Sequence, residues 1–170
     1  PLSLWREPFC LASLTLEGSV QRGKNSRGIT SEGTVEWIEA LRKDARVRGV
    51  LLRIDSPGGD ALASDLIHRE IERLRKEKPV VVSMGDVAAS GGYYVAAAGN
   101  RIVARRTSIT GSIGVIMSGY NYGKAAKDYG IEAVTIKSDR TPFKDILSPM
   151  RPMRDEERTL LTAIVDELFD

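Results

Sequence analysis

Gly49-Val-Leu-Leu-Arg-Ile-Asp55 runs straight into Ser56-Pro-Gly-Gly-Asp60, and that junction decides the fold. The first seven residues are a near-continuous apolar run, the pattern of a parallel strand buried on both faces. Proline and paired glycines end it. From about Ala61 to Lys76 the pattern turns helical, with Leu62, Leu66, Ile71 and Leu74 as candidate core contacts. Pro79 to Met84 is a second apolar strand. A short loop follows to Ala89, and then Ser90 opens a small-residue helix, Gly91-Gly-Tyr-Tyr-Val-Ala-Ala-Ala98. Strand, helix, strand, helix in that order is a βαβ unit with its continuation, hence a parallel sheet.

Upstream, residues 10–17 alternate like a strand, and Gly18 to Gly28 reads as a polar, mobile loop. Thr30 or Ser31 can cap a helix through about Ala45, with Val35, Ile38 and Leu41 on one face. Downstream, Arg101-Ile-Val-Ala104 is a third short strand, while Thr107 to Val115 is too glycine-rich for a regular element. Tyr122 to Tyr129 reads as a helix stopped by Gly130, Ile131 to Lys137 as a strand, and Ser138 to Pro152 as an extended loop. An amphipathic helix from about Asp155 closes the chain, with Leu160, Leu161, Ile164, Val165, Leu168 and Phe169 apolar. The expected class is α/β with a mostly parallel sheet, in which sites lie beyond the carboxyl ends of the strands.

Bulk composition narrows the partners. At 170 residues the chain is read as one domain, residues 1–170, long enough for a real core. A hydrophobic share of 42% beside 28% charged residues excludes a disordered chain. With 25 basic against 23 acidic residues the net charge is +2, which gives no electrostatic case for nucleic acid. Cys10 stands alone, so neither an intrachain disulfide nor a cysteine-based zinc site is available. No run reaches the roughly 18 apolar residues of a membrane span. The sequence begins Pro1-Leu-Ser-Leu-Trp-Arg-Glu-Pro8 without an initiator methionine, as expected of a trimmed, soluble chain whose parent protein carries its anchor elsewhere.

The chemistry-bearing residues sit at the strand ends. Ser90 stands between small residues at the mouth of a helix, where free amides and the helix dipole favour an oxyanion beside a nucleophile. The single histidine, His68, reads as an ordinary helical residue, so lysine is the first alternative as base. Lys144, in Thr141-Pro-Phe-Lys-Asp-Ile-Leu-Ser-Pro149, lies in a proline-bounded, partly apolar loop; Lys137 competes at a strand end. A lysine base must be neutral, and burial is what disfavours the ammonium. The double glycine of residues 58 and 59 lets the backbone approach a bound group, or serves simply as a tight turn. Ser112, in Thr110-Gly-Ser-Ile-Gly-Val115, can hydrogen-bond an amine or be an ordinary turn hydroxyl.

Four segments occur together and in order: Asp55-Ser-Pro-Gly-Gly59, Val87-Ala-Ala-Ser-Gly-Gly-Tyr-Tyr94, Thr110-Gly-Ser-Ile-Gly-Val115 and Phe143-Lys-Asp-Ile-Leu-Ser-Pro149. In this the chain resembles the single-repeat signal peptide peptidases of bacteria, archaea and plastids, over about residues 10–169. The resemblance implies a crotonase- or Clp-protease-like fold and a Ser/Lys-dyad serine endopeptidase acting on remnant signal peptides or other apolar segments. It implies Ser90 as nucleophile, Lys144 as general base and Ser112 as the serine orienting the lysine. The Gly91 amide, with one from Gly58 or Gly59, would form the oxyanion hole. The stretch from Ile136 to Lys144 is longer than the family pattern or differently spaced, which keeps Lys137 in view.

The resemblance further implies a homo-oligomer with sites shared between protomers, and membrane association with an extracytoplasmic catalytic domain. It implies no cofactor, no metal and no nucleic acid, so activity should survive chelation. Two other readings stand beside it. One is a non-catalytic membrane-protein scaffold of the same family; the other is a crotonase-type acyl-CoA enzyme, against which the lack of paired catalytic glutamates counts.

Overall fold

A computed structural model describes residues 8–24 and 27–169, in two compact units divided between Ile113 and Gly114. Residues 1–7, where the sequence begins without methionine, lie outside the described residues.

The first unit is an α/β layer. Its strands are β1 (Cys10–Glu17), β2 (Val20–Gln21), β3 (Ile29–Thr30), β4 (Val47–Ser56), β5 (Val80–Ala89), β6 (Arg101–Val103) and β7 (Ile109–Gly111). Its helices are α1 (Ser31–Lys43), α2 (Ala61–Glu77) and α3 (Gly91–Ala97). The main sheet runs β1-β4-β5-β6, with β7 also paired to β5, and every pairing is parallel. Strand order advances in one direction across the sheet. Right-handed crossovers then put the connecting helices on the same face.

That single-sided cover corrects the expectation that the central strands are buried on both faces. Leu16, Leu52, Ile54, Val82 and Met84 are buried beneath the helices, with Ile38, Ile67, Ile71, Leu74 and Val95. The alternate residues Leu11, Leu51, Val81 and Val103 share the opposite face by register and are exposed in this chain. The apolar run therefore reflects two apolar faces, of which this chain's helices cover one.

Helix α2 starts on an Asp60 cap, whose carboxylate accepts the Ala63 N–H at 2.8 Å. Its buried face is Ala63, Ser64, Ile67, Glu70, Ile71 and Leu74. Leu62 and Leu66 are exposed, contrary to the core positions expected for them. The reason is close packing on α3: a Cβ at Gly91 would lie 2.3 Å from Ser64 Oγ. Only small residues fit that crossing, so Ala63 and Ser64 face inward and the leucines turn out. Glu70 is buried on the seam with α1, paired with Arg42 at 3.3 Å and Arg73 at 2.9 Å.

Two segments read as irregular are ordered. Within the expected mobile loop, Val20 is buried and forms β2 against β3. Within the glycine-rich 107–115 stretch, Ile109–Gly111 adds β7 to the end of β5.

The second unit contains α4 (Gly123–Asp128) and α5 (Asp155–Phe169), joined by irregular chain. Residues 131–137 form no strand among the described residues, because no strand of this unit offers a ladder for their N–H and C=O groups. Among the described residues of this unit only Glu157 is buried. Ile116, Tyr129, Val134 and Ile136 are each at least 84% exposed, and Leu160, Ile164 and Leu168 on α5 are exposed as well. No helix among the described residues is long and apolar enough to cross a membrane.

Candidate active site

The carboxyl ends of β4 and β5 carry the site. Ser90 follows β5 directly and caps α3 with φ 52° and ψ −125°. A side chain at positive φ costs on the order of 1–3 kcal/mol and persists only where neighbours enforce it. Here the Ser90 N–H donates to the Gly111 carbonyl at 2.8 Å, and the Ser90 carbonyl accepts from the Tyr94 N–H at 2.9 Å. Among the described residues the two non-glycine residues at positive φ are Ser90 and Ser112. Both belong to the set expected from sequence.

The β4 turn meets Ser90 at contact distance. Gly58 has φ +94°, and a Cβ there would lie 2.6 Å from Gly91 N and 2.8 Å from both Ala89 O and Ser90 Cβ. A Cβ at Gly59 would strike Val20 O at 2.1 Å. Strand β2 grips this turn from outside: Val20 N–H donates to Gly58 O, and Asp60 N–H donates to Val20 O, both at 2.9 Å. Both glycines are therefore dictated by space.

Counting the amides separates the two. The Gly58 N–H donates to the buried Ser56 hydroxyl at 3.1 Å. The N–H groups of Gly59 and Gly91 have no acceptor among the described residues. They are neighbours, since a Cβ on Gly91 would sit 3.4 Å from Gly59 N. Two unpaired amides next to a serine hydroxyl are the donors that a developing oxyanion requires.

Ser112 enters through β7. The Thr110 hydroxyl donates to Ala88 O at 2.9 Å, and the Gly111 carbonyl receives the Ser90 amide. Ser112, the next residue, has φ 51° and is exposed. Ser90, Gly58, Gly59, Gly91 and Ser112 are thus gathered at one end of the sheet. His68 is engaged elsewhere: its ring stacks on Tyr94 at 4.4 Å, and Nδ1 lies 2.8 Å from the Tyr94 carbonyl.

The two candidate lysines lie in the second unit and differ in their commitments. Lys137 is ion-paired with Asp145 and donates to Pro142 O at 2.8 Å. Lys144 is exposed in a run of successive turns, its N–H donating to Thr141 O at 3.1 Å, and its ammonium has no ion-pair partner among the described residues. The turns are anchored by Arg151, which pairs with Asp145 at 2.9 Å and with buried Glu157 at 2.6 Å. Arg151 and Lys137 hold the Asp145 carboxyl well below the usual carboxylate range, and Arg151 with the Arg154 amide does the same for Glu157.

Sequence reasoning missed Val20, Ser56 and Asp55. The Asp55 carboxylate accepts the N–H groups of Asp86 and Val87, each at 3.2 Å. A short strand carries too few residues to show a period, which hid Val20. The motif around Ser56 announced both others as residue types, but gave no partner for either. Among the described residues no three His, Cys, Asp or Glu side chains gather as a metal site.

Comparison with known proteins agrees with this geometry. The profile of peptidase family S49 matches residues 72–170. The chain is 42% identical over 156 residues to the chloroplastic serine protease SPPA of Arabidopsis thaliana, covering 88% of this chain and 23% of that protein. It is 35% identical over 174 residues to protease 4 of Haemophilus influenzae, covering 99% of this chain and 28% of that one. The chain thus spans about a quarter of the length of these relatives. A solved structure of a mutant 1510-N membrane-bound stomatin-specific protease superposes with a TM-score of 0.51 at 19% identity, over 68% of this chain and 53% of that one. This supports the α/β class with a mostly parallel sheet expected from sequence. Motif order, parallel sheet and profile agree: the chain belongs to peptidase family S49 and resembles its signal peptide peptidases.

Proposed function

We propose that this chain is a serine endopeptidase that cleaves apolar peptide segments, remnant signal peptides among them, with a Ser90/Lys144 dyad. The observation that carries the reading is the pair of unpaired Gly59 and Gly91 amides beside a strained Ser90. The Ser90 hydroxyl attacks the scissile carbonyl carbon and passes its proton to the neutral Lys144 amine. The carbonyl oxygen, now an oxyanion, accepts the two glycine amides. Collapse breaks the C–N bond, and the Lys144 ammonium protonates the departing amine. Water then attacks the acyl-enzyme, giving a proton to Lys144; collapse breaks the ester C–O bond, the Lys144 ammonium returns that proton to the Ser90 oxygen, and the acid product leaves as a carboxylate after losing its proton to solvent. Losing one oxyanion donor costs about 100- to 1000-fold in comparable sites.

Lys144 is preferred to Lys137 because Lys137 is committed to Asp145 and Pro142. Ser112 is assigned the role of orienting the lysine. Of the two glycines considered for the second donor, Gly59 is preferred, since Ser56 already holds the Gly58 amide. Residues 1–170 act as one peptidase domain in this reading. The apolar side chains exposed in the second unit favour a homo-oligomer with sites completed between protomers. The reading includes membrane association through a segment other than these residues, with the site on the extracytoplasmic side.

Cleavage of a fluorogenic apolar peptide by Ser90→Ala, by Lys144→Ala and by their mixture tests this. Two inactive variants that regain activity on mixing support a dyad built between protomers. An active Ser90→Ala ends the reading, and an active Lys144→Ala moves the base to another residue.

A further inference from the structure

Strand β5 falls out of step with β4 near their carboxyl ends. Ile54 pairs with Met84, yet Ser56 pairs with Ala88, so β5 makes four steps where β4 makes two. The excess is an excursion at Gly85, Asp86 and Val87, three residues before Ser90. Such an insertion breaks the ladder and leaves backbone groups unpaired. The groups it frees are taken up on two sides. Asp55 accepts the N–H groups of Asp86 and Val87 through separate oxygens, each at 3.2 Å. From β7's side the Ser108 hydroxyl donates to Gly85 O at 2.6 Å. Gly85 is pressed against the carboxylate: a Cβ there would lie 2.4 Å from Asp55 Oδ2.

We propose that Asp55 is a positioning residue of the peptidase centre: by clasping the two amides of the β5 excursion, it fixes where the strand ends and so where Ser90 stands. The inference rests on Ser90 being the nucleophile. Asp55 is suited to the task because it is fastened on its other side, its carbonyl receiving the Gly18 N–H at 2.9 Å within the β1–β4 edge. A carboxylate is the side chain that serves two amides at once, since both of its oxygens only accept. Asparagine keeps the shape but turns an NH2 toward one of the two donors.

The test compares wild type, Asp55→Asn and Gly85→Ala in cleavage of a fluorogenic apolar peptide and in inhibition by a peptide aldehyde of the same sequence, whose hemiacetal mimics the tetrahedral intermediate. Misplacing a reacting group by about 1 Å costs on the order of 100-fold. The expected result for Asp55→Asn is a fall in kcat of about 10- to 100-fold, with KM little changed and aldehyde inhibition weakened in proportion to kcat/KM. Gly85→Ala, which displaces the carboxylate from the opposite side, gives the same split. Either variant turning over at the wild-type kcat per folded molecule, or losing activity only as its melting curve loses folded protein, overturns the inference. If Ser90→Ala cleaves normally the nucleophile assignment fails, and the inference with it; that failure shows without touching Asp55.

Discussion

Gly58→Ala probes the centre where it is tightest. The added methyl would stand 2.6 Å from Gly91 N and 2.8 Å from Ala89 O and Ser90 Cβ. These are rigid neighbours, so reaching an ordinary contact of 3.4 Å moves the turn about 0.8 Å from Gly91 N and about 0.6 Å from Ser90 Cβ, the differences from the distances above. Displacement on that scale costs roughly 100-fold in rate. Two stability costs add. Holding alanine at φ +94° costs about 1–2 kcal/mol, and overpacking about 1–3 kcal/mol more. Gly23→Ala is the matched control, since Gly23 has φ +90° but nothing within 4 Å of its Cβ position. It should lose only the dihedral part, with full activity. The assay pairs kcat/KM on a fluorogenic apolar peptide with thermal unfolding of both variants. A Gly58→Ala protein within about threefold of wild-type kcat/KM, melting no lower than Gly23→Ala, would refute the close packing of the turn on Ser90.

Two further outcomes are expected. Ser90→Gly relieves a side chain at φ 52°, so it should be inactive yet more stable by about 1 kcal/mol, read as a raised melting temperature. In the second unit, Arg151 holds Glu157 and Asp145 below the carboxylate range. Carboxyls depressed in the fold stabilise it fully above their unfolded values near 4, and that contribution is lost progressively from there until pH has fallen through the lower folded values. Amide protection in residues 158–163 should therefore persist below pH 4 in wild type. In Arg151→Met it should fade about there, and an unchanged acid profile would contradict the pairing.

Much of the candidate site's layout could be read from residues because its backbone requirements are local. The turn at residues 56–60 and the serine after β5 carry composition that few other structures need. The helical span expected from about Ala61 to Lys76 was equally legible, though the Asp60 cap that starts it was not read. What escaped depends on distant partners. Val20 is buried because Gly59 comes to it, and nothing in its polar surroundings says so. Leu62 and Leu66 match a helical period as well as Ala63 and Ile67 do; only the close crossing at Gly91 chooses between the two faces. The strand expected at 131–137 has suitable composition, but a strand exists only with a neighbour to pair with. The excursion in β5 looked like a loop, since its amides are satisfied by a side chain 31 and 32 residues upstream.

The donors assigned to the oxyanion are main-chain groups. Replacement of a side chain leaves an N–H where it was, so alanine scanning would pass over the chemistry and report only the collateral damage of crowding at Gly58, Gly59 and Gly91. A probe of the donors themselves has to alter the backbone, as an ester in place of the peptide bond does. The same property bears on drug resistance. An inhibitor that draws its affinity from the Gly59 and Gly91 amides rests on atoms every codon supplies except proline's, and the bulkier codons at both positions meet neighbouring atoms within 2.3 Å. Escape by point mutation at those positions would carry the cost of the turnover proposed for this chain.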